Sequence, residues 1–130
     1  MGAKKKTPPC WCGDAAGVAR CCEPYLLGAT QPQTAVVLMR SRYSAYVTKN
    51  ADYLLATWHP ETRPSALDFD EQLRWLELKV LDTEEGGEFD ATGTVTFIAH
   101  YRIAGRGHRL EERSRFSKID GRWMYKDAAA

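Results

Sequence analysis

Four cysteines crowd into one short stretch near the start of the chain, CWCGDAAGVARCC. Cys10 and Cys12 are one residue apart, eight residues follow, and Cys21 and Cys22 are adjacent. No apolar periodicity surrounds them, so this segment has almost no core of its own and needs a staple. Four thiolates meet the tetrahedral demand of a structural zinc ion and leave no position open for water. Gly13, directly after the first pair, lets the backbone turn tightly around a metal. Iron also takes tetrahedral sulfur, so the donor set alone does not choose between the two. Other readings stand beside a metal. Buried, unconnected thiols would need an apolar setting that the local sequence lacks. A Cys21–Cys22 disulfide would strain the peptide between them, and a reducing compartment opposes disulfides in general. A redox switch that releases its metal on oxidation depends on thiol pKa and exposure.

The rest of the chain reads differently, and the change falls near Gln31-Pro32. This gives a metal-binding segment over 1–30 and a globular domain over 31–130. With 44% hydrophobic residues, the 130-residue chain can bury a core without a metal. Thr34 to Asn50 predicts an amphipathic helix with Thr34 as its N-cap, its face built from Ala35, Leu38, Met39, Tyr43, Tyr46 and Val47. Asp52 is expected to cap a second short helix, carrying Tyr53, Leu54, Leu55 and Trp58 and ended by His59-Pro60. Glu61 to Pro64 reads as loop, and Asp68 to Gln72 as one more helical turn. From Trp75 the apolar period changes to two. Leu76, Leu78 and Val80 form one inner face, and Val95, Phe97, Ala99, Tyr101 and Ile103 another. Turns are expected at Gly86-Gly87, at Gly105-Arg106-Gly107 and at Asp120-Gly121. The last of these joins a strand over Leu110 to Ile119 to one beginning at Trp123. Helices followed by antiparallel strands define an α+β domain with the helices on one face of the sheet.

Charge excludes some partners. Eighteen basic and seventeen acidic side chains leave a formal net charge of +1, so no strong field draws the protein to nucleic acid. Lys4, Lys5 and Lys6 read as a solvated terminus. No apolar run is long enough to span a bilayer, and the basic start is not followed by an apolar stretch of the secretory type. A cytoplasmic protein is therefore expected, with its cysteines as thiols or on metal.

Four stretches together resemble a known family. CWCGDAAGVARCCEPYL is similar to the SEC-C metal-binding motif, first associated with the C-terminal tail of the SecA translocation ATPase. With LMRSRYSAYV, DYLLATWHPETR and LEERSRFSKIDGRWMY it resembles the bacterial YchJ family of uncharacterised proteins. The resemblance implies that Cys10, Cys12, Cys21 and Cys22 are the metal ligands. It also implies a cone-like fold of the nuclear transport factor two type, helices packed into the hollow of a curved antiparallel sheet. Many SEC-C motifs have Gly-Ser-Gly where this chain has Gly13-Asp14-Ala15. No reaction is carried over.

Within the domain, Arg42 falls near the centre of the apolar helix face, where a charge must be paired. Strand alternation puts Glu112 and Ser114 on the side of Leu110 and Phe116, so a bidentate Arg42–Glu112 pair inside the hollow is expected. Such a pair is structural or ligand-binding. Tyr101, Trp123 and Tyr125 are expected on the same face. His100 should point outward, His59 should serve a helix end, and His108 should lie in a turn. No paired carboxylates, phosphate-cradling glycine loop or nucleophile elbow appears. Three functions follow: an accessory protein whose metal-binding segment docks a protein partner, an enzyme or small-molecule binder using the hollow, and a redox sensor. Oligomeric state is not legible.

Overall fold

A computed structural model of the chain describes residues 10–13 and 21–129. The Lys4–Lys6 tail, Asp14 and Ala15 lie outside the described residues. In chain order the elements are α1 (Glu23–Leu26), α2 (Ala35–Val47), α3 (Ala51–Ala56), β1 (Leu73–Glu85), β2 (Thr92–Ile103), β3 (Arg106–Ile119) and β4 (Arg122–Ala128). The strands form one antiparallel sheet in the order β1-β2-β3-β4. Among the described residues, no helix is long and apolar enough to cross a membrane.

Helix α2 starts where the sequence places it, because extended Thr34 accepts the Val37 N–H on its hydroxyl at 3.2 Å. The cap of α3 is Asn50 rather than Asp52. Asn50 Oδ1 accepts the Tyr53 N–H at 3.0 Å, while Asp52 sits in the first turn, where a negative charge suits the helix dipole. Residues 68–70 are irregular rather than helical, and Asp70 Oδ1 instead accepts the Gln72 N–H at 2.8 Å to open β1.

Both hairpin turns after β2 have two residues with positive φ. Ala104 and Gly105 are at 49° and 83°, and Asp120 and Gly121 at 51° and 79°. This mirror-image turn matches the twist of the flanking strands. It moves the expected Gly105-Arg106-Gly107 turn back by one residue, so His108 lies on β3. In β1 the simple alternation fails. Register shifts between Trp75 and Glu77 and between Val80 and Asp82 insert one extra residue each. Leu76 and Leu81 are those extra residues and stay exposed, while Trp75 turns toward the core beside Leu78 and Val80.

The core joins Leu78, Val95, Phe97, Ala99, Phe116 and Trp123 of the sheet to Ala35, Leu38, Met39 and Tyr43 of α2. Each fully buried side chain such as Leu38 or Val95 contributes about 1.5–3 kcal/mol. Helix α2 is not buried on one face only, since Ser41, Arg42, Tyr43, Ser44 and Ala45 are buried in succession. The sheet covers one side. On the others, Ser41 Oγ lies 2.6 Å from the Tyr53 hydroxyl, and Ser44 Oγ lies 3.9 Å from Cys10 Sγ. Small side chains at 41, 44 and 45 are what let α3 and the cysteine segment approach so closely.

Candidate metal centre and interior hollow

The backbone wraps around the cysteines by local means. Gly13 adopts a φ of 88° and donates to the Cys10 carbonyl at 2.9 Å, closing a turn over Cys10 to Gly13. Cys22 precedes α1, and its carbonyl accepts from Tyr25 and Leu26 at 3.0 and 3.1 Å. The four sulfurs all lie within 4.8 Å of one another. Cys12 Sγ is 3.5 Å from Cys10 Sγ and 3.4 Å from Cys21 Sγ, and the Cys21–Cys22 distance is 3.7 Å. A disulfide needs about 2.05 Å. A tetrahedron with metal–sulfur bonds of about 2.3 Å has edges of about 3.8 Å, so the spacing fits one metal ion.

Electrostatics agree with that fit. Burial, with hydrogen bonding to Cys12 and Cys10, pushes the Cys21 thiol up to about 12. Hydrogen bonding with Cys12 and burial push Cys22 up as well. Four sulfurs this close cannot all ionise at neutral pH unless a cation sits among them. Cys10, Cys12 and Cys22 are buried and belong to the main core, against the expectation from their local sequence. The apolar setting comes from α2, which no periodicity within the segment could reveal. Arg40 also reaches across and donates to the Cys12 carbonyl at 3.3 Å. Burial of these three thiols works against their direct oxidation, because reactive thiols are accessible ones, whereas Cys21 is half-buried.

A second site lies between α2 and the sheet. It is a hollow of about 260 Å³ whose walls include Arg42, Tyr43, Tyr46, Trp58, Trp75, Phe97, Glu112, Ser114 and Tyr125. Residues 57–59 run parallel to β4, with Tyr125 N donating to Thr57 O and His59 N to Tyr125 O, both at 2.8 Å. This pairing sets the Trp58 and Tyr125 rings side by side, 5.2 Å apart at 86°. The Arg42 guanidinium lies over both, 4.9 Å from the Trp58 centroid and 4.8 Å from that of Tyr125.

Arg42 and Glu112 share this hollow but do not form the expected ion pair. Arg42 Nη1 donates to Leu54 O and to Thr57 Oγ1, both at 2.8 Å. Glu112 Oε2 accepts from Ser114 Oγ at 2.5 Å and from the Tyr125 hydroxyl at 3.3 Å. Tyr125 therefore serves both charges, its ring under one and its hydroxyl on the other. Burial pulls the Arg42 pKa down, partly offset by the neighbouring tyrosines. Tyr101 is no wall of the hollow; it stacks on His108 at 5.2 Å and 14° and packs on Trp75. Trp123 is core, its Nε1 donating to Gln33 O at 3.1 Å. His59 Nδ1 accepts the Glu61 N–H at 3.1 Å, a turn-capping contact. Sequence reasoning missed Trp58 as a wall, because the parallel pairing of 57–59 with β4 leaves no local pattern.

A curved antiparallel sheet closed over by helices, with a four-cysteine cluster packed behind the main helix, defines the class: an NTF2-like domain bearing an N-terminal SEC-C motif. Residues 34–128 match the family model described as YchJ, middle NTF2-like domain. The chain is similar to a UPF0225 protein of Streptomyces coelicolor, 51% identical over 121 residues and covering 93% of this chain and 94% of that one. A UPF0225 protein of Xanthomonas campestris is 50% identical, covering 98% and 99%. The solution structure of a SEC-C motif containing protein from Rhodopseudomonas palustris superimposes with a TM-score of 0.82 at 38% identity, covering 95% and 98%. A crystal structure of a SEC-C motif containing protein from Psychrobacter arcticus has the same fold, with a TM-score of 0.74 at 24% identity over 97% and 84%. The chain belongs to the YchJ family.

Proposed function

We propose that this is an accessory protein in which Cys10, Cys12, Cys21 and Cys22 hold one structural zinc ion and the stapled segment docks a protein partner. The observation that carries the reading is the closed set of four sulfurs within 4.8 Å, three of them in buried residues. Such a site has no open position for water or substrate and stabilises structure rather than performing chemistry. Iron is the competing occupant. Trp11, between the first two cysteines, is 38% exposed. Tryptophan is among the residue types enriched at the energetic centres of protein interfaces. The SEC-C resemblance points to protein export or the ribosome as the setting, in the cytoplasm. Elemental analysis of reduced protein purified without chelator should give about one zinc per chain, on the four-thiolate argument. Negligible zinc and iron would sink the metal assignment. A specific partner captured by wild type should be lost both with Cys21→Ser and with Trp11→Ala, the second of which keeps its zinc. Capture that survives Trp11→Ala would move the interface elsewhere.

The second reading is a small-molecule binder using the hollow. It is supported by the open space of about 260 Å³ with Arg42 and Glu112 both in its walls.

A further inference from the structure

Arg42 enters the hollow from α2 and Glu112 from β3, and neither neutralises the other. Arg42 is only 5% exposed, and no carboxylate lies within ion-pair distance of it among the described residues. Its positive charge rests on two ring faces and two oxygen acceptors on Nη1, with the neighbouring Tyr46 side chain favouring the charged form. A guanidinium has more N–H donors than these contacts use. Trp58, another wall of the hollow, has a buried Nε1 that meets no acceptor among the described residues. Both features ask for an acceptor, and a buried cation asks for an anionic one. On the sheet side the demand is reversed. Glu112 Oε2 takes its two protein donors, while Oε1 has none among the described residues. Between the two charges the walls are aromatic and aliphatic, with Phe97 and Trp75 among them.

We propose that the hollow binds a monocyclic aromatic acid that also carries a hydroxyl group, with its carboxylate against Arg42 and its hydroxyl donating to Glu112. The inference rests on the hollow being a binding site and names what it takes. Size supports a single ring. A cavity of about 150 Å³ holds benzene, so about 260 Å³ holds a ring with two small substituents. Ring faces of Trp75 and Phe97 suit an aromatic body. Charge supports a single carboxylate, since a second one on the ring would face Glu112. Leu110 lines the hollow and is 36% exposed, which places it at the mouth.

The test uses the full zinc-loaded chain titrated with 4-hydroxybenzoate, benzoate and p-cresol, followed by calorimetry and by tryptophan fluorescence, since Trp58 and Trp75 line the site. Saturable binding of 4-hydroxybenzoate is expected. p-Cresol, which lacks the carboxylate, should bind about tenfold or more weakly, as loss of a charge-assisted hydrogen bond requires. Benzoate should be weaker by several-fold, and Glu112→Gln should narrow that gap while leaving benzoate bound. Leu110→Trp, checked by melting to be folded, should abolish binding of all three. If p-cresol binds as tightly as 4-hydroxybenzoate, the ligand class is wrong while the hollow stands as an apolar site. If none of the three binds to folded protein, the hollow is not a binding site for such molecules and the proposal falls with it. Unchanged binding in Leu110→Trp places the ligand elsewhere and overturns it too.

Discussion

Arg42 is held by ring faces and oxygen acceptors, with Tyr125 standing between it and Glu112. The role of Glu112 changes accordingly. It is no counter-ion for the helix but the acceptor for Ser114 and Tyr125. Glu112→Ala should lower stability by about 1–3 kcal/mol, the penalty for leaving buried hydroxyls unsatisfied, rather than the larger loss of a broken buried ion pair. Glu111 is exposed, and its carboxylate lies 3.8 Å from Arg109, its one ion-pair partner among the described residues, so Glu111→Ala should change stability by about 0–1 kcal/mol. Equal unfolding midpoints in urea would show that Glu112 is solvated. Gly93 supplies a second contrast. A Cβ there would sit 2.4 Å from the Gly86 Cα, whereas at Gly107 it would meet nothing within 4 Å. Gly93→Ala should therefore cost about 1–3 kcal/mol or more through forced backbone movement, and Gly107→Ala less than about 0.5 kcal/mol. Loss of the contrast in thermal melts would mean that the loop after β1 yields freely.

Helix α2 is enclosed on several sides, and that enclosure has a pH signature. Burial pushes Tyr43 and, from α3, Tyr53 up from 10.0 to about 12. Burial raises Tyr46 and Tyr125 as well. In the unfolded chain these phenols ionise near 10, so the folded state keeps protons that the unfolded state has released. Stability should therefore be intact below about pH 10 and fall as the pH rises from 10 toward 12. Phenolate absorbance from these four of the six tyrosines should appear late, together with loss of the circular dichroism signal. Ionisation of all six tyrosines near pH 10 with the fold intact would contradict the burial around α2.

At the scale of the molecule, the cysteine cluster and the domain share one core. Its local sequence predicts a detachable segment, with chelation sparing everything after Gln31. The packing of Cys10, Cys12 and Cys22 against α2 changes the expected outcome. Chelator-treated protein should keep most of its far-ultraviolet signal, since the sheet and helices hold their own hydrogen bonds. Its melting temperature should nonetheless drop by about 5 °C or more, because each lost kcal/mol shifts the melting of a domain of this size by several degrees. An unchanged melting temperature after verified metal removal would show that the staple and the core are independent.

The four-cysteine cluster, the start of α2 at Thr34, the Asp120-Gly121 hairpin and the inner face of β2 are all legible in the sequence, because each depends on residues within a few positions of one another. A donor set, a cap, a turn and an alternation are local patterns. What fills the space around them is not local. The bulges that turn Trp75 inward and leave Leu76 outside depend on how β1 pairs with β2. Burial of the cysteines depends on a helix that follows them in the chain, and the setting of Arg42 depends on residues 57–59 pairing with β4. Chemistry at each position was therefore set by sequence, whereas the partner of each charge was set by tertiary packing. A buried guanidinium accepts any sufficient set of oxygens and ring faces, and only the folded arrangement decides which of them arrive.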